Sequence, residues 1–240
     1  MAQIFSVKLE GVAKALEILS PKLVRTAIEW TLNDTAQIAK KGLQDEMKKV
    51  FDRPTPRTLN SVYTKLDKAG DMPLVTIGIK QEGDDPRYPG KYLQPQVYGG
   101  TRPMKISEER YFKTYYVPSS FTKLDPYGNL PKGLITQILS SIGAFPNVGY
   151  MMNVTPESKK RRGKKLRKFF IIRYGTQSKR HPGVYEILGN GSIRPVLIFV
   201  ASAPKYRVRF RFHEVAEDIM MKKIDRIFAE KLDKIMTAKM

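Results

Sequence analysis

The densest chemistry in the chain lies in ten consecutive residues, Lys159-Lys160-Arg161-Arg162-Gly163-Lys164-Lys165-Leu166-Arg167-Lys168, eight of which are basic. Basic side chains at this density can grip phosphates, each contact adding salt-dependent affinity. They can equally dock on an acidic neighbouring subunit, or stand as a solvated loop with no partner. Like charges so close repel, so the run is expected to be a mobile loop when unbound. The candidate contacts to an anionic partner or DNA are Lys159, Lys160, Arg161, Arg162, Lys164, Lys165, Arg167 and Lys168. Two weaker patterns mix aromatic and basic residues. Tyr111, Phe112, Tyr115 and Tyr116 interleave with Arg110 and Lys113, a mixture that can stack on single-stranded nucleic acid. At helical spacing the same residues describe the buried face of a short helix, and that reading is favoured. Lys205, Arg207, Arg209 and Arg211 alternate with Tyr206, Val208, Phe210 and Phe212, and form either a basic surface or the wet side of a strand.

Catalytic patterns are missing from the sequence. It has no phosphate-binding glycine loop with lysine, no GxGxxG and no GxSxG; Gly189-Asn190-Gly191 reads as a turn. Asp45-Glu46 and Asp84-Asp85 are adjacent acidic pairs, and adjacent side chains point apart in a helix or strand, which defeats paired acid–base work. His181 stands in a polar turn and His213 at a helix start, both read as structural or exposed. The chain has no cysteine, which excludes disulfides, zinc–thiolate sites, iron–sulfur clusters and thiol catalysis and fits a reducing cytoplasm. No catalytic residue, cofactor or metal site is therefore expected, and the chain is read as a non-enzyme. The start MAQIFSVKLEGV lacks the pattern of a signal peptide. No apolar stretch approaches the roughly 20 residues that cross a bilayer, so no membrane partner is expected. The net charge of +20 on 240 residues exceeds ordinary solubility needs and points to nucleic acid, an acidic protein surface, or both; the alternative is plain solubility with no special partner.

These residues need elements to hold them. Ser20-Pro21 reads as N-cap and first helical residue, opening a helix to about Phe51. Its apolar stripe is Val24, Ile28, Leu32, Thr35, Ala39, Leu43, Met47 and Val50. Such a helix would span about 45 Å, and Arg53-Pro54-Thr55-Pro56 ends it. Residues 60–68 and 73–80 read as a hairpin, with Val75, Ile77 and Ile79 on one face. Residues 81–165, rich in Pro, Gly and Tyr, read as an insertion interrupted by two short helices, Ser107 to about Tyr116 and Lys132 to about Ile142. Strands follow at 169–174, 183–188 and 195–201. Residues 205–212 read as a strand or an extended lead-in to a final amphipathic helix, 213–237. The expected fold is α+β in a single domain, 1–240: a long N-terminal helix and a C-terminal amphipathic helix packed on a small antiparallel or mixed sheet, with a large loop-rich insertion.

Several stretches resemble, in order, segments of a family of phage and prophage proteins. They are Phe51-Asp52-Arg53-Pro54-Thr55-Pro56-Arg57-Thr58-Leu59-Asn60-Ser61; Tyr92-Leu93-Gln94-Pro95-Gln96-Val97-Tyr98-Gly99-Gly100-Thr101-Arg102 with the charged helix at 105–110; Leu124-Asp125-Pro126-Tyr127-Gly128-Asn129-Leu130 with Ile135-Thr136-Gln137-Ile138-Leu139-Ser140; and Arg194-Pro195-Val196-Leu197-Ile198-Phe199-Val200. The set is similar to tailed-bacteriophage tail-component proteins, and more loosely to the minor tail protein Z and tail-completion (neck) families. The resemblance implies a structural virion protein at the head–tail interface, assembled as a homo-oligomeric ring. Its partners would be other tail, connector or portal proteins, with packaged DNA a further candidate. It would be made in the host cytoplasm and located in the virion, and it would carry no catalytic residues. The alternative is a nucleic-acid-binding phage accessory protein that uses the basic segment 159–168.

Overall fold

In the computed structural model, residues 9–70, 72–80, 88–145, 153–163 and 166–238 are described. The elements run α1 (Val12–Ile18), α2 (Pro21–Val50), α3 (Pro56–Leu59), β1 (Val62–Asp67), β2 (Leu74–Ile79), α4 (Pro89–Tyr98), β3 (Gly100–Thr101), a π-helical turn (Glu108–Phe112), β4 (Tyr115–Pro118), α5 (Leu134–Ser141), α6 (Pro156–Arg162), β5 (Lys168–Ile172), β6 (Gly183–Ile187), β7 (Ile193–Val200), β8 (Lys205–Tyr206) and α7 (Phe212–Thr237). The fold is α+β with antiparallel sheets. It divides into two compact units, Met1–Gly100 with Tyr206–Met240, and Thr101–Lys205.

The first unit is organised by α2 and α7. The buried row on α2, Ala27, Thr31, Thr35, Ala39, Leu43 and Met47, advances four residues at a time. Each step overshoots a full turn by about 40°, so the row winds roughly half-way round the helix. Its first half packs with Ala15 and Leu19 beside α1 and with Phe228 and Ile235 of α7. Its second half meets Val62 and Ile77 of the hairpin, Leu93 and Val97 of α4, and Phe212, Ala216 and Met220 at the start of α7. α7 therefore runs antiparallel to α2, and its own row, Phe212, Ala216, Met220, Ile224 and Phe228, also steps by four. The expected stripe differs here. Ile28 and Leu32 are only half-buried, and Ala27, Thr31 and Ala36 take the deep positions, because small side chains admit the larger residues of α7. The buried threonine hydroxyls donate back to the carbonyls of Ala27 and Thr31 at 2.7 Å each, which satisfies them within the helix. Ser20 holds the N-cap position, but its hydroxyl makes no capping bond; its carbonyl accepts from the amides of Leu23 and Val24 instead.

The hairpin forms as the alternation predicts, with Val62 opposite Ile79 and Val75, Ile77 and Ile79 turned to the core. Four helices have no counterpart in the sequence reading: α1, α3, α6 and α4, the last lying where proline, glycine and tyrosine suggested loop. Pro89 suits a first helical turn, Leu93 and Val97 bury together one turn apart, and this burial outweighs the internal Pro95. Gly99, at φ 75°, ends the helix. Of the expected strand over 205–212 only β8 is regular. Residues 207–211 are a lead-in, fastened where the amides of Arg209 and Phe210 both donate to the carbonyl of Gln96.

The second unit is a four-stranded antiparallel sheet in the order β4-β7-β6-β5. One face carries a core of Phe112, Tyr116, Phe169, Val184, Leu197 and Phe199 with Leu134, Ile138 and Leu139 of α5. The helix expected from Ser107 to Tyr116 stops at Phe112. Lys113 turns left-handed, at φ 56°, and Tyr115 and Tyr116 become strand opposite Val200 and Phe199. That pairing also moves the boundary of the expected insertion: its residues from 101 onward share one sheet with the later strands, so the second unit ends at 205 rather than 165. The segment 81–87 lies outside the described residues.

Gly183 sits in the middle of this sheet, between Ile172 and Ile198. A Cβ there would overlap the backbone carbonyl oxygen of Leu197, which cannot move without breaking the ladder. Gly183→Ala should therefore destabilise the protein by about 2 kcal/mol or more, as overpacking does. The measurement is a lower denaturant midpoint with an unchanged slope.

Candidate functional site

Most of the described residues of the basic segment are not in the loop expected of it: 159–162 lie in α6 and Lys168 opens β5. Thr155 and Ser158 cap α6 reciprocally: the Ser158 amide donates to Thr155 Oγ1 at 3.2 Å and the Thr155 amide to Ser158 Oγ at 2.9 Å, after the manner of a capping box. Glu157 is held below the usual carboxylate range by its own backbone amide and by the Thr155 hydroxyl, and a carboxylate suits this end of a helix. Lys159, Lys160, Arg161 and Arg162 fill the last positions of α6, where cations are favoured. These local terms offset the repulsion that predicted a loop. The side chains of Lys160 and Arg161 are exposed. Lys164 and Lys165 lie outside the described residues. Lys168 opens β5 and is exposed, and Arg167 stands immediately before it.

Arg167 is the one member of the run with a specific internal partner among the described residues. The register places Phe169, Glu186 and Arg194 side by side across β5, β6 and β7. Glu186 is buried there and is held from both flanks. Arg167 donates from Nε to Oε1 at 2.5 Å and from Nη2 to Oε2 at 2.9 Å. Arg194 donates from Nε and Nη2 to Oε2 at 2.9 and 2.8 Å. The Arg167 guanidinium also lies 4.9 Å from the centre of the Phe169 ring, a cation–π contact. The Arg167 hydrogen bonds, with help from Arg194, hold the Glu186 carboxyl below its ordinary range against the opposing effect of burial. The same bonds raise the pKa of Arg167.

Sequence reasoning missed Arg194 and Glu186. A signal was present: Glu186 interrupts the short apolar strand Gly183-Val184-Tyr185-Glu186-Ile187 at a position that alternates with Val184, and a buried carboxylate must find a cation. A second buried carboxylate in the same unit follows the same rule. Glu108, fully buried, accepts from Arg102 at 2.6 and 2.5 Å and from the amides of Lys105 and Tyr116 at 2.7 and 3.1 Å. Burial is the largest single influence and pushes its pKa up, but these donors together bring it down. Ser107 makes no capping bond; its hydroxyl bonds that of Tyr116 at 2.9 Å. Phe112 and Tyr116 are buried in the core.

The histidines lie apart from this cluster in sequence and setting. His181 is exposed, with Nδ1 2.9 Å from the Pro182 carbonyl oxygen. His213 Nε2 is 2.8 Å from the Tyr98 hydroxyl, and burial depresses its pKa. Among the described residues no group of three or more acidic or histidine side chains could hold a metal ion, and no helix is long and apolar enough to cross a membrane. Comparison of the chain with protein-family models, with curated proteins and with solved structures finds no match.

The Glu186 cluster makes stability depend on pH. The folded carboxyl lies below its ordinary pKa of 4.5, so its contribution is complete above that value and is lost as pH falls through the depressed one. Glu186→Gln should melt well below wild type at pH 7, and the gap should close as pH drops below about 4, the ordinary glutamate range. A gap of constant size down to pH 2 would contradict the ionised pairing.

Proposed function

We propose that this chain is a structural protein of a tailed-bacteriophage virion, a tail-completion or neck component at the head–tail interface that assembles as a ring and performs no catalysis. The observation that carries the reading is the apolar surface left by both units. Ile18 and Trp30 are 72% and 45% exposed on the first unit, and Phe121 is 65% exposed on the second. Aromatic side chains such as Trp30 are enriched among the residues that anchor protein interfaces. The stretches quoted above for their resemblance to phage proteins support the same reading, and three of them contribute to the cores: Leu93 and Val97 in α4, Ile138 and Leu139 in α5, and Leu197 and Phe199 in β7. Copies of one chain meeting through such surfaces form closed rings when the interface is heterologous and its rotation closes.

The test is assembly of the purified chain, alone and with its candidate portal or tail neighbours. Sedimentation and native mass spectrometry should find a closed oligomer whose contacts each bury well over about 1,000 Å². Trp30→Asp or Phe121→Asp should shift it toward monomer while leaving the melting transition cooperative. A chain that stays monomeric in every mixture, and turns over a substrate, would defeat the proposal.

A further inference from the structure

Positive charge is distributed unevenly along the chain. Between Pro126 and Lys205 the sequence has fourteen basic residues and only two acidic ones, Glu157 and Glu186. Glu157 starts α6, and Glu186 is shared by two arginines. One of them would suffice, since Arg167 alone matches the charge of Glu186 and reaches both of its oxygens. Arg194 places both of its bonds on Oε2, which Arg167 already serves, so the cluster carries one net positive charge beyond what the buried carboxylate requires.

We propose that the Arg167–Glu186–Arg194 cluster is a phosphodiester-binding site that contacts the backbone of double-stranded DNA without reading its sequence. The carboxylate is 5% exposed, whereas the two arginine side chains are 39% and 42% exposed. The anion that orients the guanidiniums is thus turned inward and their remaining edges reach solvent. In both arginines Nε and Nη2 donate to Glu186, and Nη1 makes no bond to it. A planar guanidinium suits phosphate oxygens, and fixing it beforehand removes part of the entropy lost on binding. Phe169 beneath Arg167 adds to that fixation. Lys160, Arg161 and Lys168, exposed in the same unit, extend the positive charge on either side in sequence. A duplex carries one charge per about 1.7 Å of axis, and a segment this short of carboxylates suits that continuous polyanion better than the sparser acids of a protein surface. The site stands whether or not the chain closes into a ring.

Fluorescence anisotropy of a labelled 20-base-pair duplex against the full chain, titrated at several salt concentrations, tests the assignment. Arg194→Gln leaves the neutral Arg167–Glu186 pair in place; it should weaken binding about tenfold and reduce the slope of log affinity against log salt by about one. Arg194→Lys keeps the charge but loses the planar fork, and should also weaken binding; it serves as the readout if Arg194→Gln does not fold. Lys223→Gln, an exposed position on α7, removes the same formal charge and should change affinity less than twofold. Equal losses from Arg194→Gln and Lys223→Gln would mean that only the overall field matters and would overturn the site. So would a wild-type chain that ignores the duplex while binding polyglutamate, which would point to an acidic protein partner.

Discussion

A chain with 43 basic and 23 acidic residues must hold its shape against its own field, and the placement of its few buried carboxylates follows from that constraint. In the second unit, Glu186 is held by two arginines and Glu108 by one arginine and two backbone amides, both beside the aromatic core. An ion pair sunk in a protein returns little net stability, because desolvation opposes the attraction. Removing one partner is a different matter, since the other is then stranded. These glutamates are therefore better described as pins that fix where arginines point than as sources of stability. In the first unit the carboxylates sit nearer the surface, with Glu29 between Arg25 and Lys68 and Asp34 against Lys231, and most of the cohesion there is apolar.

That cohesion comes from two helices whose buried rows both step by four. Small residues on α2 accept large ones on α7, so the long helix needs no broad apolar stripe. Its remaining surface is free to carry charge and an exposed tryptophan. The division suits an assembling subunit, in which the inner rows hold the unit together and the outer surface is left to partners. In the second unit the sheet does the corresponding work: its register sets Glu186 beside Arg194, and Arg167, just before β5, reaches the same carboxylate.

The periodic parts of the fold were legible in advance. The long helices, the hairpin and strands β5 to β7 all follow from spacing, because one face of each is buried and the period is written in the residue types. α4 was not legible, since tertiary burial of Leu93 and Val97 overrides the local message of its prolines. The short helix after Ser107 was misjudged in length, because Tyr115 and Tyr116 satisfy either a helical face or a strand and only their pairing with β7 decides. The basic segment was visible as composition, but its behaviour was not: a cap at Thr155 and Ser158, and one buried carboxylate nineteen positions from Arg167, turn most of an expected loop into ordered structure. Arg194, only eight positions from Glu186, was missed because the β6–β7 pairing that joins them carries an irregularity at Val184 and Tyr185, which residue spacing does not show.

If this surface is to be buried in a virion, as proposed, with its positive charge serving that end, quantitative mass spectrometry of purified particles from cells making the chain should find it full-length in intact particles at a fixed copy number per particle, set by ring symmetry. Its consistent absence from particles that are complete and infectious would contradict the virion role.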